Sequence, residues 1–279
     1  MGTRLRTWAV RGALALVPVL AALYVAGVQI PGSTLVPWQP NMMDLGVYQR
    51  VGRIVLDGGD IFDPQGQLPW IYPAFAALLT VPFAVVPFTV AAVVWLVLCT
   101  AALAAVLYRL GLSGWRLSLL TTAVILLVQP VRDTLGFGQL AIFLVAAAVL
   151  DSMPGRRLLR RRILPEGWLV GAATAVKLTP AVVAAYNFFA GRRRPGLVAF
   201  SSFVVATAIG FLFLPAASMQ YWLKLASGDS GLNSGIVFAS NQSVLGVWNR
   251  LTGAPSRGGI ILSALVVVLG LAAAVLMHR

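Results

Sequence analysis

The sequence predicts an all-α, polytopic integral membrane protein, and three observations support this prediction. Of the 279 residues, 59% are hydrophobic and 10% are charged, whereas soluble domains carry about 25% charged residues. Long apolar runs recur from end to end and are continuous rather than alternating, which favours helices over a β-barrel. Arginine clusters separate the runs, in GRRLLRRR (155–162) and GRRRPG (191–196). Because a backbone in lipid must satisfy its own polar groups, we expect closed helices.

The net charge of +13 could indicate a nucleic-acid partner, but the positions of the arginines argue against one. The arginines concentrate in short segments between apolar runs, which is the positive-inside pattern of cytoplasmic loops. We therefore expect no nucleic acid among the partners, and we place loops 155–162 and 192–194 in the cytoplasm. Cys99 is the single cysteine and lies in an apolar run, so the sequence indicates no disulfide or reactive thiol.

The order of the apolar runs predicts about eight transmembrane helices in one domain, residues 1–279. The predicted helical segments are 12–30, 71–88, 88–108, 117–131, 139–151, 167–178, 181–190, 196–214 and 258–277. Three prolines interrupt the segment 71–88, which indicates a broken or re-entrant helix that lines a cavity. A short hairpin is expected over 167–190, with KLTP (177–180) at its tip.

Because the arginine loops are placed inside, the polar segments fall together on the outer side of the membrane. We expect a first outer loop at 31–71, which contains an interfacial helix, and a last outer loop at 215–257. The polar residues of the outer side gather in four segments, 41–72, 129–139, 177–180 and 233–250. This recurrence on one side predicts a site there.

Asp44 is an acid in an apolar setting within NMMDLGVYQR (41–50). If residues 43–57 are helical, one broad face of the helix is apolar. The apolar face carries Met43, Val47, Val51, Ile54 and Val55, and the opposite face carries Gly46, Gln49, Arg50, Arg53 and Asp57. Asp57 can pair with Arg53 at i,i+4. Asp44 instead projects into the apolar arc, one turn before Tyr48. A carboxylate there is costly and implies a function or a partner; the alternative is that Asp44 is the helix N-cap.

Three other outer segments each leave two interpretations open. Arg132 could pair with Asp133, or its planar fork could bind a phosphate. Lys177 could snorkel to the interface, or it could form an anion site beside the helix break at Pro180. Asn241 could be a simple turn residue, or it could bind sugar hydroxyls together with the neighbouring amide.

The remaining polar residues indicate no cofactor and no metal. His278 is the single histidine and flanks the end of the last apolar run. The sequence contains neither a metal-ligand cluster nor a nucleotide-binding glycine loop. We therefore expect no cofactor, and we expect that ATP does not supply the energy directly.

Five motifs occur in an order that resembles one known family. They are MDLGVY (43–48), IYPAFAALL (71–79), RDTLGFGQL (132–140), AVKLTPAVV (175–183) and SNQSVLG (240–246). From about residue 40 to about 250, the chain resembles the actinobacterial GT-C-type mannosyltransferases. These enzymes use polyprenyl-phosphate-mannose to make α-1,2 linkages on phosphatidylinositol mannosides and lipoglycans.

The resemblance implies a GT-C-like fold and a set of roles for residues. Asp44 matches the acidic residue of the first outer loop that serves as general base. Arg132 and Lys177 match motifs that would contact the carrier phosphate. The substrate-binding positions implied are Tyr48, Tyr72, Arg132, Gln139, Lys177, Asn241 and Gln242. The partners implied are polyprenyl-phosphate-mannose, a mannosylated glycolipid acceptor and membrane lipid, with an inverting reaction on the outer (periplasmic) side of the cell membrane.

The chain departs from the family in its length. The relatives continue through more spans and a histidine-rich outer motif after the NQS region, and His278 is not an equivalent of that motif. We expect either a truncated chain or a short divergent member. Two other functions remain open, a transporter or flippase for a lipid-linked sugar and a non-catalytic membrane fragment that assembles with other subunits.

Overall fold

The computed structural model describes residues 2–28, 41–63, 68–227, 243–253 and 257–278, and its regular elements there are all helices. The helices are α1 Gly2–Val28, α2 Met43–Leu56, α3 Ala74–Ala84, α4 Phe88–Arg109, α5 Gly114–Leu127, α6 Gln129–Phe137, α7 Ala141–Ser152, α8 Trp168–Val176, α9 Ala181–Phe189, α10 Arg193–Phe213, α11 Pro215–Ala226, α12 Val244–Thr252 and α13 Arg257–His278. This confirms the predicted all-α class.

Four of these helices, α1, α4, α10 and α13, are long and apolar enough to cross a membrane. The pair α5 and α6 could form a fifth crossing, bent by 80°. The polytopic membrane prediction is therefore confirmed. The count of about eight crossings stays a prediction, because the other apolar helices are shorter than the ~20 residues that a bilayer requires.

The structure contains the helices expected within 71–88 and 167–190 but not the turn expected at 129–139. The proline-interrupted segment 71–88 forms only the short helix α3, and the hairpin at 167–190 forms α8 and α9. The outer turn expected at 129–139 is wrong, because most of it is the helix α6. Val128 has an extended backbone, which ends α5. Pro130 lies in the first turn of α6, where its missing N–H costs nothing and its fixed φ suits a helix.

Close helix contacts through small residues hold the fold together. Gly52 of α2 lies so near α3 that an added Cβ would be 2.7 Å from the carbonyl oxygen of Thr80. Gly171 of α8 lies similarly near α10, where a Cβ would be 2.1 Å from the carbonyl oxygen of Ala199. Small residues at such crossings are typical of membrane helices, because they allow backbones to approach and pack closely.

Two residues of the polar stripe of α2, Gln49 and Arg53, bind the end of α3. Gln49 is buried, and its side-chain amide donates to the carbonyls of Phe83 (3.0 Å) and Val86 (2.8 Å). The guanidinium of Arg53 donates to the carbonyl of Ala84 at 3.4 Å. The last carbonyls of a helix have no partner within that helix, so α2 supplies donors to the C-terminal end of α3.

This arrangement corrects one prediction about the interfacial helix. The predicted helix exists, and Val47 and Val51 are buried as expected. The predicted ion pair between Arg53 and Asp57 is not among the ion pairs of the described residues. Tertiary contact with α3 replaces it, because the guanidinium of Arg53 points toward the carbonyls described above.

Candidate active site

Asp44 lies in the first turn of α2. The N-cap of this helix is Met42, which makes no side-chain capping hydrogen bond, so the interpretation of Asp44 as the N-cap is wrong. Met42 is fully buried and has φ of 29°, in the left-handed region, where a side chain costs about 1–2 kcal/mol. Asp44 benefits from the free N–H groups of the first turn, which favour a negative charge.

Gly138 brings Gln139 to Asp44. Gly138 follows the end of α6 with φ of +71°. A Cβ at this position would lie 2.8 Å from Cβ of Leu45 and 3.2 Å from its backbone nitrogen. Only glycine allows both the left-handed turn and this approach to the start of α2. The side chain of the next residue, Gln139, then lies within hydrogen-bonding reach of the Asp44 carboxylate.

The break between α8 and α9 supplies the cation of the site. Lys177 follows the last residue of α8 and has an extended backbone, with φ of −151° and ψ of 131°. Its Nζ lies 5.4 Å from the ring centre of Tyr72, which is a cation–π distance. The positive charge of Lys177 and the negative charge of Asp44 stabilise each other.

Burial shifts the protonation of this group of residues. Burial raises the pKa of Asp44, while the hydrogen bond from Gln139 and the charge of Lys177 oppose the rise. Burial lowers the pKa of Lys177, and Asp44 opposes that fall. Burial also raises the pKa of the Tyr48 and Tyr72 hydroxyls. A carboxylate with a raised pKa beside a cation is a physical basis for proton transfer.

An aromatic cluster surrounds Tyr48, one turn after Asp44. The ring centre of Tyr48 lies 6.1 Å from those of Trp70 and Tyr72 and 5.4 Å from that of Trp95. Within the described residues, the hydroxyl of Tyr48 and the indole N–H groups of Trp70 and Trp95 are buried without a hydrogen bond of standard geometry. Buried Tyr and Trp usually place these groups on a partner, so the two indole N–H groups remain available to a ligand, whereas the Tyr48 hydroxyl interacts with that of Tyr72.

All three aromatic residues line one cavity of about 310 Å³. The other lining residues come from α3, α4, α7 and α8 and from Leu140, and they are almost entirely apolar. Leu79 and Leu98 lie on this lining with half of their surface exposed, so the cavity opens sideways between helices. Such a space suits an apolar chain whose polar end reaches Tyr48.

The structure brings together Asp44, Tyr48, Tyr72, Gln139 and Lys177 among the predicted site residues. Arg132 is half-buried on α6, and Asp133 accepts a hydrogen bond from Gln129 at 2.7 Å. Asn241 and Gln242 lie outside the described residues.

Sequence reasoning missed Trp70 and Trp95 as part of the site. The position of Trp70 next to the IYP motif was an available signal, whereas Trp95 has none because it sits inside the apolar span α4. Within the described residues, no three His, Cys, Asp or Glu side chains gather in a way that could hold a metal.

The rise per residue of α4 and α7 gives the distance, along these helices, from the aromatic cavity to the arginine loop 155–162. Trp95 lines the cavity and Arg109 contacts the loop, and the 14 residues between them along α4 span about 21 Å. Along α7, Leu140 and Asp151 are separated by about 17 Å. Both distances are less than the ~30 Å of a hydrocarbon core. The cavity and the loop therefore lie about 17–21 Å apart along these helices, within one bilayer thickness.

Comparison with known proteins supports a specific family. Residues 70–279 match Glycosyltransferase family 87, a range that includes Tyr72, Gln139 and Lys177 and begins after Asp44. A protein of Mycobacterium tuberculosis (strain CDC 1551 / Oshkosh), named polyprenol-phosphate-mannose-dependent alpha-(1-2)-phosphatidylinositol pentamannoside mannosyltransferase, is 31% identical over 263 residues. A protein of Mycolicibacterium smegmatis with the same name is 36% identical over 234 residues.

These relatives are longer than the chain. The first match covers 88% of this chain and 59% of the relative, and the second covers 78% and 55%. The chain therefore spans less than two thirds of the length of the curated relatives that it matches. No solved structure matches it. Since the family match extends over most of the sequence, the chain belongs to Glycosyltransferase family 87.

Proposed function

We propose that this protein transfers mannose from polyprenyl-phosphate-mannose to a hydroxyl of a mannosylated lipid or lipoglycan. The names of its relatives specify this donor and a phosphatidylinositol mannoside acceptor. The observation that carries the proposal is the half-buried Asp44, whose pKa is raised by burial and which lies between Gln139 and Lys177. The donor is a substrate, and the proposed chemistry requires neither a cofactor nor a metal.

In the proposed reaction, the acceptor hydroxyl attacks the anomeric carbon of the donor sugar. Asp44 takes the hydroxyl proton as general base, a role that contributes about 10²–10⁴-fold to rate. The bond between the anomeric carbon and the phosphate oxygen breaks, and the electron pair leaves with the polyprenyl phosphate. This single displacement inverts the anomeric centre. A phosphate leaves without protonation, so one catalytic carboxylate is sufficient.

Lys177 is the favoured contact for the leaving phosphate. It carries the cation that acts on Asp44, so it is close enough to stabilise charge that develops as the phosphate leaves. Its neighbour Gln139 would orient Asp44 through the hydrogen bond described above. Arg132 remains a proposed second phosphate contact, as do Asn241 and Gln242 for the sugar.

The aromatic cavity would hold the lipid-linked end of the donor. Its apolar wall and its sideways opening past Leu79 and Leu98 suit a prenyl chain that enters from the bilayer. Tyr48 lines this space, and its hydroxyl, which interacts with that of Tyr72, would contact the phosphate or the sugar. Tyr72 would complete the polar end beside Lys177.

We place the reaction on the outer (periplasmic) side of the cell membrane. The positive-inside rule assigns the arginine loop 155–162 to the cytoplasm. The distances along α4 and α7 would then put the site below the outer membrane surface rather than above it. The phosphate of the donor would descend into the protein, and the acceptor would reach it from the outer aqueous side.

The test is Asp44→Asn in the purified chain, which keeps the shape and removes the base. We expect transfer of labelled mannose to fall by about 10²–10⁴-fold. Asp57→Asn is the matched control, because Asp57 follows the same helix, is exposed and should retain wild-type transfer. Wild-type transfer by Asp44→Asn would overturn the assignment of the base.

The same assay separates the transferase from a flippase. Detergent micelles do not separate two aqueous compartments, so the activity of a flippase cannot be observed in them. A transferase still forms the mannosylated product. The third function, a non-catalytic subunit, predicts no product from the purified chain and product only when further membrane proteins are added.

A further inference from the structure

We propose that the arginine loop 155–164 and the ends of α4, α7 and α8 form a binding site for one anionic glycerophospholipid of the cytoplasmic leaflet. This site is separate from the proposed mannosyl-transfer site. A cavity of about 420 Å³ lies at the loop. It is lined by Arg109, Leu150, Asp151, Arg157, Leu158, Leu159, Arg161, Arg162, Ile163, Leu164 and Leu169. A concave surface that combines arginines with leucines matches the chemistry of a phosphate headgroup attached to acyl chains.

The loop is anchored at its start by Arg109, the last residue of the span α4. The guanidinium of Arg109 donates to the carbonyls of Leu150 (3.0 Å), Met153 (2.9 Å) and Arg156 (3.1 Å). Gly155 passes so close that a Cβ would lie 2.0 Å from the carbonyl oxygen of Arg109. The first residues of the loop are therefore held against the end of a membrane span.

The loop is anchored at its other end by Arg162. Its guanidinium forms an ion pair with the carboxylate of Asp151, which is 2% exposed. The second oxygen of Asp151 accepts a hydrogen bond from the backbone N–H of Val170 at 3.0 Å. The negative charge in the cavity is thus neutralised. A loop that served only to place positive charges on the cytoplasmic side would not need these two anchors.

The arginines between the anchors have a different role. Within the described residues, Arg157, Arg160 and Arg161 make no hydrogen bond or ion pair with protein. Arg157 and Arg161 line the cavity, whereas Arg160 does not. Two unneutralised guanidinium groups over one cavity suit a phosphate, because each can donate two parallel hydrogen bonds.

The apolar residues identify the ligand as a lipid rather than a soluble anion. Leu158 and Leu159 are each more than half exposed, and Ile163 is 78% exposed. The cavity also lies at Arg109, the last residue of the candidate span α4, and we place the boundary of the membrane at this end of the span. Exposed leucines at that depth contact acyl chains, while the arginines lie at the level of the headgroups. Basic pockets at the cytoplasmic ends of spans bind anionic lipids for this reason.

The experiment measures stabilisation of the purified full chain in neutral detergent by added phosphatidylglycerol. The controls are phosphatidylcholine with the same acyl chains and soluble glycerol 3-phosphate. We expect phosphatidylglycerol to raise the apparent unfolding temperature, and we expect neither control to do so. Native mass spectrometry should show one phosphatidylglycerol molecule retained.

Matched variants then locate the effect. Arg157→Gln combined with Arg161→Gln should raise the phosphatidylglycerol concentration needed for half of the stabilisation by about 25-fold. Each arginine near a headgroup contributes about fivefold to lipid affinity. Arg160→Gln removes the same charge from the same loop but lies outside the cavity, so it should change the response little. Equal unfolding temperatures in phosphatidylcholine show that the variants fold.

Three outcomes would overturn the proposal. An equal response to both phospholipids would mean that the loop recognises no headgroup charge. Equal losses in the double variant and in Arg160→Gln would reduce the effect to diffuse charge. Full stabilisation by glycerol 3-phosphate would make the ligand a soluble anion.

Discussion

Gly138→Ala is the most direct test of how the fold positions the site. Alanine would have to adopt the φ of +71° that Gly138 shows, which costs about 1–2 kcal/mol for a residue with a side chain. Its Cβ would also lie 2.8 Å from Cβ of Leu45 and 3.2 Å from the Leu45 backbone nitrogen. Neither atom can rotate away, so the end of α6 and the start of α2 must separate, at an additional cost of about 1–3 kcal/mol.

Gly58→Ala separates these two costs. Gly58 has nearly the same φ, +70°, but nothing lies within 4 Å of an added Cβ. We expect Gly58→Ala to lose about 1–2 kcal/mol of stability and to retain transfer. We expect Gly138→Ala to lose about 2–5 kcal/mol in total and also to lose transfer, because its strain moves Gln139 away from Asp44. A displacement near 1 Å can cost about 10²-fold in rate.

The assays are apparent thermal unfolding of the purified protein and transfer of labelled mannose in detergent. We expect Gly138→Ala to be both the less stable and the less active of the two variants. If the two variants unfold at the same temperature, the contact with Leu45 carries no energy. If Gly138→Ala unfolds earlier but transfers at the wild-type rate, the contact does not position Gln139 for catalysis.

Three further predictions concern charge and buried hydrogen bonds. Lys177→Met should move the rising limb of the pH–rate profile to higher pH, because loss of the cation raises the pKa of Asp44 further. Lys177→Arg keeps the cation and should leave the rising limb at its wild-type pH. Asp44→Asn should raise the apparent unfolding temperature at neutral pH but not below the unfolded pKa of about 4. Burial raises the pKa of Asp44 in the folded state, so the stability that this group contributes is lost as pH rises through the folded pKa. A difference in unfolding temperature between Asp44→Asn and wild type that is the same at about pH 4 and about pH 7 would contradict this. Gln49→Leu should lower the unfolding temperature, because the carbonyls of Phe83 and Val86 would be left without a donor, at about 1–3 kcal/mol for each buried group.

The sequence was sufficient to predict the features that depend on local pattern. The spans α1, α4, α10 and α13 follow from unbroken apolar runs, and the hairpin of α8 and α9 follows from the break at Pro180. The role of Gln49 could not be predicted in this way. Its side chain belongs to the polar stripe of α2, and the stripe reads equally well as a water-facing surface. Its partners are carbonyls of α3, 34 and 37 residues away.

The same distinction explains which site residues could be found. Asp44 and Lys177 are visible in the sequence because a charge within an apolar segment violates the usual pattern, and such violations concentrate at functional sites. Tyr48, Trp70 and Trp95 violate no pattern, since their rings are expected in a membrane protein, and Tyr48 is predicted only through the family resemblance. Their polar atoms become significant only when the fold buries all three around one cavity and leaves the two indole N–H groups without partners. Each unpartnered donor costs about 1–3 kcal/mol, so the empty cavity is less stable than one filled by a ligand with acceptor oxygens. The residues that favour a ligand at this site are therefore aromatic types that composition counts as hydrophobic.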